Sequence, residues 1–156
     1  MRNKQHLFNQ INSQHHQMVM QLCLGFVNGE RNKAKDLFQE VFINTWNSLE
    51  NFKNKSSYKT WIYRITVNTC LKSFRQESKF EKISMDDCQL NDLGDENRDS
   101  GLTALYRSIS KLSEVDRLII MMFLDDAEYF EIANVIGITE GNLRVRIHRI
   151  KQTLKN

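Results

Sequence analysis

Proline is absent from this chain. The residue that most sharply breaks a helix is missing, which fits an almost wholly helical protein and by itself says nothing about function. Cysteine is scarce too: Cys23, Cys70 and Cys88 are odd in number and widely spaced, with no Cys-x-x-Cys pair. That pattern suggests neither a disulfide framework nor a zinc site, and leaves Cys23 and Cys70, both in apolar stretches, as expected buried thiols. No run approaches the roughly 18 consecutive apolar residues of a membrane span, so membrane insertion is not expected. The first twenty residues are polar, with Arg2 and Lys4 followed by Gln, Asn and His, so no signal peptide is expected and the cytoplasm is the expected location. No glycine-rich phosphate loop occurs, and His6, His15 and His16 have no carboxylate or cysteine partner at ligand spacing. An enzyme is therefore poorly supported: the expectation is no catalytic residue, no metal, no cofactor and no small-molecule substrate.

What the chain does have is charge, unevenly placed. The net charge is +3, yet Glu77–Ser100 holds eight acids and three bases, leaving about +8 on the remainder. Two basic bodies are joined by an acidic strip. Apolar spacing predicts helices over Leu7–Val27, from Asn32 or Ala34 to Ser48, and from Lys59 to about Gln76. Gly25 and Gly29 mark the expected end of the first. Residues 79–100 lack periodicity and read as a linker, followed by helices at Leu102–Ile109 and Val115–Leu124 and a helical pair at the end. There is no strand pattern and no internal repeat. The expected fold is all-α, with two small helical domains (1–78 and 101–156) joined by an acidic flexible linker (79–100).

The final pair carries the strongest signal. Phe130, Ala133 and Val135/Ile136 lie at helical spacing and stop at Gly137, suited to a left-handed cap. Ile138 plugs the turn, Thr139 stands at an N-cap, and Glu140 complements the helix dipole. Leu143, Ile147, Ile150 and Leu154 form an apolar stripe. Arg144, Val145, His148 and Arg149 lie opposite it, with Arg146 and Lys151 on the flanks. From Thr139 onward there are five Lys/Arg against one Glu. A solvated basic face is the plain alternative, but the Gly-centred turn favours a helix-turn-helix presenting side chains to a DNA major groove.

Two earlier blocks are unusual. With its apolar stripe turned inward, Asp36-Leu-Phe-Gln-Glu-Val-Phe-Ile-Asn-Thr-Trp46 leaves Asp36, Gln39, Glu40 and Ile43 or Asn44 outside. This is either a docking face for a basic partner helix or an ordinary amphipathic helix. The next block interleaves Tyr58, Trp61 and Tyr63 with Lys53, Lys55, Lys59, Arg64, Lys72 and Arg75. Cations tracking phosphates and rings stacking on bases suit single-stranded nucleic acid. Trp61, at least in part, and Tyr63 also read as core anchors, leaving Tyr58, on the loop, the better candidate for a base contact.

Taken in order, Asp36-Leu-Phe-Gln-Glu-Val-Phe, Ser57-Tyr-Lys-Thr-Trp-Ile-Tyr-Arg-Ile-Thr-Val-Asn68, and Leu112-Ser-Glu-Val-Asp-Arg-Leu-Ile with the terminal helix-turn-helix resemble a bacterial RNA polymerase sigma factor. The type is the small extracytoplasmic-function (ECF) one of the sigma-70 family, and the resemblance covers nearly the whole chain. It implies a transcription initiation factor that binds core RNA polymerase, with Asp36, Gln39, Glu40, Ile43 and Asn44 at the docking helix. It implies minus-ten recognition and melting by Asn54, Lys55, Ser56, Ser57, Tyr58, Trp61, Tyr63, Arg64, Asn68, Lys72 and Arg75. Minus-thirty-five recognition falls to Thr139, Glu140, Arg144, Val145, Arg146, His148, Arg149 and Lys151. Promoter DNA would be duplex upstream and single-stranded at the melted element, and the family also implies an anti-sigma partner. The loop Asn54-Lys-Ser-Ser departs from the family's Gly-Asp type of turn. Val145 stands where a small polar residue is common, which points to contact with a thymine methyl. The competing class is a stand-alone helix-turn-helix regulator, which would typically read two half-sites as a dimer; the chain offers no coiled-coil heptads for one.

Overall fold

The computed structural model describes residues 2–52, 57–83 and 100–155. Among them are seven α-helices and no strand: α1 Arg2–Phe26, α2 Arg31–Ser48, α3 Tyr58–Ile83, α4 Ser100–Ser110, α5 Glu114–Leu124, α6 Tyr129–Ile136 and α7 Glu140–Lys155. A single 3-10 turn, Leu49–Asn51, closes α2. Helices α1 to α3 form the first domain and α4 to α7 the second.

The first domain is held by one apolar face from each of its helices. Val19, Leu22 and Cys23 of α1, Ala34 and Val41 of α2, and Ile62 and Cys70 of α3 are completely buried. Two buried threonines satisfy their hydroxyls within their own helix: Thr45 donates to the Val41 carbonyl and Thr66 to the Ile62 carbonyl, each at 2.8 Å. Cys23 and Cys70 are free buried thiols, as the sequence leads one to expect. A hydrogen bond with Cys23, together with burial, pushes the Cys70 thiol well above its ordinary pKa. Both therefore behave as small apolar residues.

Helix α1 starts earlier than expected, at Arg2 instead of Leu7, and ends within a residue of the expected Val27. It runs through Gly25 and stops at Phe26, with Asn28 and Gly29 at φ 60° and 77° making the turn. Gly25 is needed inside the helix because Met121 of α5 presses on it. A Cβ there would fall 2.3 Å from the Met121 Sδ. Helix α3 is also longer than its periodicity indicates, reaching Ile83 instead of Gln76.

In the second domain α5 is central. Five consecutive residues, Leu118 to Met122, are buried, so the helix is covered on all sides. Ser113 caps it, its hydroxyl accepting from the Asp116 N–H at 3.3 Å. On one side α5 packs on α6 and α7, and on the other on α1 of the first domain. At that junction the Arg117 guanidinium donates to three carbonyls: Leu112 (3.1 Å), Ser110 (3.2 Å) and Phe26 of α1 (3.2 Å). Burial lowers its pKa from that of a free guanidinium, with Glu114 opposing the shift. The two domains are thus packed together, α5 supplying the apolar seam.

Candidate nucleic-acid and polymerase interface

The helix-turn-helix forms by the local signals expected. Gly137 takes φ 91° and its N–H closes α6 on the Ala133 carbonyl at 2.8 Å. Thr139 caps α7, its hydroxyl accepting from the Asn142 N–H at 3.1 Å. Leu143, Ile147 and Ile150 are buried, which turns the opposite face of α7 to solvent.

That outer face divides its cations into two groups. His148 and Arg149 are exposed beside Val145, which is 49% exposed. The others are engaged. Arg144 lies 3.8 Å from Glu140 and its guanidinium sits 5.6 Å from the Tyr129 ring centre. Lys151 lies over Phe123 at 4.5 Å. Arg146 differs most from expectation: its Nε pairs with Asp116 of α5 at 3.0 Å, so this cation braces the domain instead of projecting into solvent. One residue that the sequence reading passed over joins the free face. Asn142 is exposed at i, i+3, i+7 with Val145 and Arg149. Its helical phase was the available signal, but attention to charge alone hides a neutral amide.

On α2, Asp36, Gln39, Glu40 and Ile43 form an exposed row, and Ile43 is 58% exposed. An aliphatic side chain left open beside two acids and an amide is what a docking face requires. Asn44 does not belong to it. Its amide donates to the Thr69 hydroxyl at 3.1 Å, tying α2 to α3.

The third group, on and before α3, is only partly assembled. Asn54, Lys55 and Ser56 lie outside the described residues. Ser57 is the cap of α3, accepting from the Thr60 N–H at 3.1 Å. Tyr58 belongs to the first turn of α3 instead of the loop. Its ring lies 4.6 Å from Phe52 and 6.5 Å from Trp61, and Trp61 in turn lies 4.9 Å from Phe52. The three rings make a half-buried aromatic cluster. Asn68, Lys72 and Arg75 are exposed along one side of α3 at i, i+4, i+7.

Tyr63 is the clearest correction: it is completely buried, and its hydroxyl donates to Asp125 at the end of α5. Burial first, and the Asp125 carboxylate second, push its phenol far above the ordinary range. Beside it the second domain makes two more contacts. Thr60 donates to Glu131 Oε2 at 2.8 Å, and the Arg64 guanidinium donates to Asn134 Oδ1. None of these partners is legible locally, because each pairing spans more than sixty residues.

The arrangement defines an all-helical protein with an exposed acidic-aliphatic helix face, a basic helix bearing aromatics, and a helix-turn-helix. Two family models match it, Sigma-70 region 2 over residues 12–80 and Sigma-70 region 4 over residues 102–154. The chain belongs to the sigma-70 family as a factor of the ECF type. It is 29% identical to the ECF RNA polymerase sigma-E factor of Haemophilus influenzae, over 96% of this chain and 86% of the relative. It is 24% identical to the ECF sigma factor SigW of Bacillus subtilis, over 88% and 81%. Its fold matches RpoE of Bartonella quintana, solved with the anti-sigma factor NepR, at a TM-score of 0.81 and 18% identity, covering 95% of this chain and 94% of that one. CnrH, solved with the cytosolic domain of CnrY, matches at 0.71 with 21% identity, covering 97% and 86%. The chain is therefore a transcription initiation factor that directs RNA polymerase to promoters, and neither an enzyme nor a stand-alone regulator. No helix of the described residues is long and apolar enough to cross a membrane.

Proposed function

We propose that the three side-chain groups divide promoter recognition among them, within domains at 1–78 and 101–156 joined by residues 79–100. The observation that carries the reading is the presence, in one chain, of the open Asp36–Gln39–Glu40–Ile43 row and the free cation face of α7. The α2 row docks on a basic helical surface of core polymerase, the clamp helices of its largest subunit. Arg149, His148, Val145 and Asn142 enter the upstream major groove. There an Arg pairs with guanine O6/N7, an Asn with adenine N6/N7, and an apolar side chain packs on a thymine methyl, each good bidentate pair giving ~1–3 kcal/mol of discrimination. Arg144 and Lys151 hold phosphates from the flanks.

At the downstream element Arg64, Lys72 and Arg75 track the phosphates of the opened strand, while Asn68, Tyr58 and residues 54–57 take a base that has left the stack. Unpairing costs a few kcal/mol per base, so capture of the flipped base favours melting with no nucleotide hydrolysis by this chain. The protein works in the cytoplasm, alongside polymerase and chromosome. An anti-sigma protein, such as the NepR bound to the solved RpoE neighbour, is a further partner.

Run-off transcription with purified core polymerase on a genomic-fragment library tests the reading. Discrete starts that depend on the protein are expected, and Gln39→Ala with Glu40→Ala should remove them while leaving weak upstream duplex binding. Survival of promoter-specific transcription in that double variant would overturn the docking assignment.

A further inference from the structure

The second domain leaves an apolar cleft open between the α5–α6 turn and the first turns of α7. Its volume is about 540 Å³, and Leu124, Phe130, Asp126, Glu128, Glu140 and Arg144 are among its walls. Leu124 is 49% exposed and Phe130 63%, the highest value of any large apolar side chain among the described residues. Phe130 shares helical spacing with Ala133, yet it turns outward while Ile132 and Ala133 fill the core. Glu140 is paired with Arg144, whereas Asp126 and Glu128 are exposed at the rim with no cation paired to them among the described residues. Asp126 also holds a left-handed backbone, φ 64°, which glycine would adopt without steric cost. The cleft is open with the domains packed, because the contacts to α3 are made by the neighbouring Asp125, Glu131 and Asn134 and not by Leu124 or Phe130.

Three properties select the occupant. Two unpaired carboxylates repel a phosphate backbone, so the cleft lies outside the DNA-reading face and calls for a cationic partner. Two apolar side chains fall far short of the roughly 1,200–2,000 Å² that a stable complex buries, so the partner must be held in place by something else. Glu140 and Arg144 belong to α7, beside Asn142 and Val145, which sets the cleft at the edge of the duplex that α7 reads. That duplex is the tether. A protein bound to the adjoining DNA is held there without a large interface, and it brings cations to the place where it meets the duplex. We propose that this cleft is the docking point for a second DNA-bound protein adjoining the minus-thirty-five element. The partner sets an apolar side chain between Leu124 and Phe130 and its cations against Asp126 and Glu128. The proposal rests on the reading of α7 as the upstream recognition helix. Because both proteins share one duplex, a weak contact acts at high effective concentration and raises the occupancy of promoters that carry a neighbouring site for the partner.

The test uses the full-length chain and the set of promoters recovered by the run-off experiment. Leu124→Ser with Phe130→Ser removes the apolar walls at two exposed positions. Asp126→Gly removes a carboxylate and relaxes the left-handed backbone, which keeps the test valid if the double variant folds poorly. In the parent cell, each promoter drives a reporter either with its natural upstream DNA or cut just upstream of the minus-thirty-five element. A subset of promoters should lose output on cutting. On that subset, with the natural DNA present, the double variant should lose about 10-fold in output, Asp126→Gly should lose less, and Phe130→Leu should retain most of it. On the cut promoters all four proteins should be equal, and so should they be in run-off transcription with purified core polymerase. If no promoter showed both losses, the proposal would be wrong. An equal loss by the double variant and Asp126→Gly in the purified reaction would also overturn it, by making the cleft a contact to polymerase or DNA. A rise in cell output would do the same, by marking the cleft as the seat of an inhibitor. Absence of discrete transcripts from the unaltered protein would instead sink the functional assignment.

Discussion

Helices α7 and α3 are both basic and amphipathic, yet one is assembled by its own sequence and the other by a distant part of the chain. On α7 every determinant is local: Gly137 ends the preceding helix, Thr139 caps, and Leu143, Ile147 and Ile150 fix which side faces out. On α3 the equivalent face is divided among aromatic packing, a cap, and hydrogen bonds to Asp125, Glu131 and Asn134. The difference teaches that the sign of a side chain's charge does not say whether it is available. Arg149 is free whereas Arg64 is engaged, and nothing in their immediate neighbours distinguishes them.

The comparison breaks first at the buried side of α7. Leu143→Ala should lower unfolding stability by about 2–5 kcal/mol, because a completely buried Leu leaves both lost transfer energy and a cavity. Thermal unfolding checks this, and a change under 1 kcal/mol would mean that the helix-turn-helix is poorly packed. On the opposite side, Arg149→Ala should leave stability unchanged while weakening upstream duplex binding by ~1–3 kcal/mol at one base pair. A gel-shift series over single base substitutions would show the preference relaxing at that position only. Arg146→Ala sharpens the contrast. As the partner of Asp116 it should cost stability, within the roughly 1 kcal/mol or less of a partly exposed pair, and relax no base preference.

On α3, Tyr63→Phe removes a hydroxyl and keeps the ring, leaving Asp125 to find water. A loss of about 1 kcal/mol is expected in chemical denaturation, with no loss from Tyr58→Phe, for which no hydroxyl partner is seen among the described residues. The smallest effect concerns pH. Burial first, and Lys59 second, hold His15 below its ordinary pKa of 6.5, with Asp125 opposing. The folded form therefore binds fewer protons than the unfolded one at mildly acid pH. The contribution of neutral His15 is fully present above 6.5 and is lost as pH falls from there to the lowered value. His15→Gln should flatten that part of the stability profile, and an unchanged acid-side slope would show that His15 does not differ from an unfolded imidazole.

Much of this was legible beforehand. The absence of proline, the apolar periodicities and the Gly137–Thr139 turn lead to an all-α chain in two parts with its helix-turn-helix placed to the residue. The α2 row was legible because an inward stripe defines its outward complement, and only Asn44, at the edge of that stripe, turned out to be tied down. Gly25 stands near the end of α1, where glycine ordinarily marks a stop, and the helix does end one residue later. It also marks a close approach by Met121, ninety-six residues away. Tyr63 was ambiguous: an aromatic residue between cations packs or stacks according to what lies opposite it. The apolar run Leu118-Ile-Ile-Met-Met-Phe-Leu124 did carry the hint, since a helix apolar all round must be covered on two sides. What covers it is a property of the folded chain, not of the run.

The burial of α5 on every side has a thermal consequence. Separating the domains uncovers apolar surface on α5 and α1, so the separation absorbs heat capacity like a small unfolding step. Apolar association weakens on cooling. The balance between packed and separated domains should therefore shift toward separation in the cold, to an extent set by the apolar area of one helix.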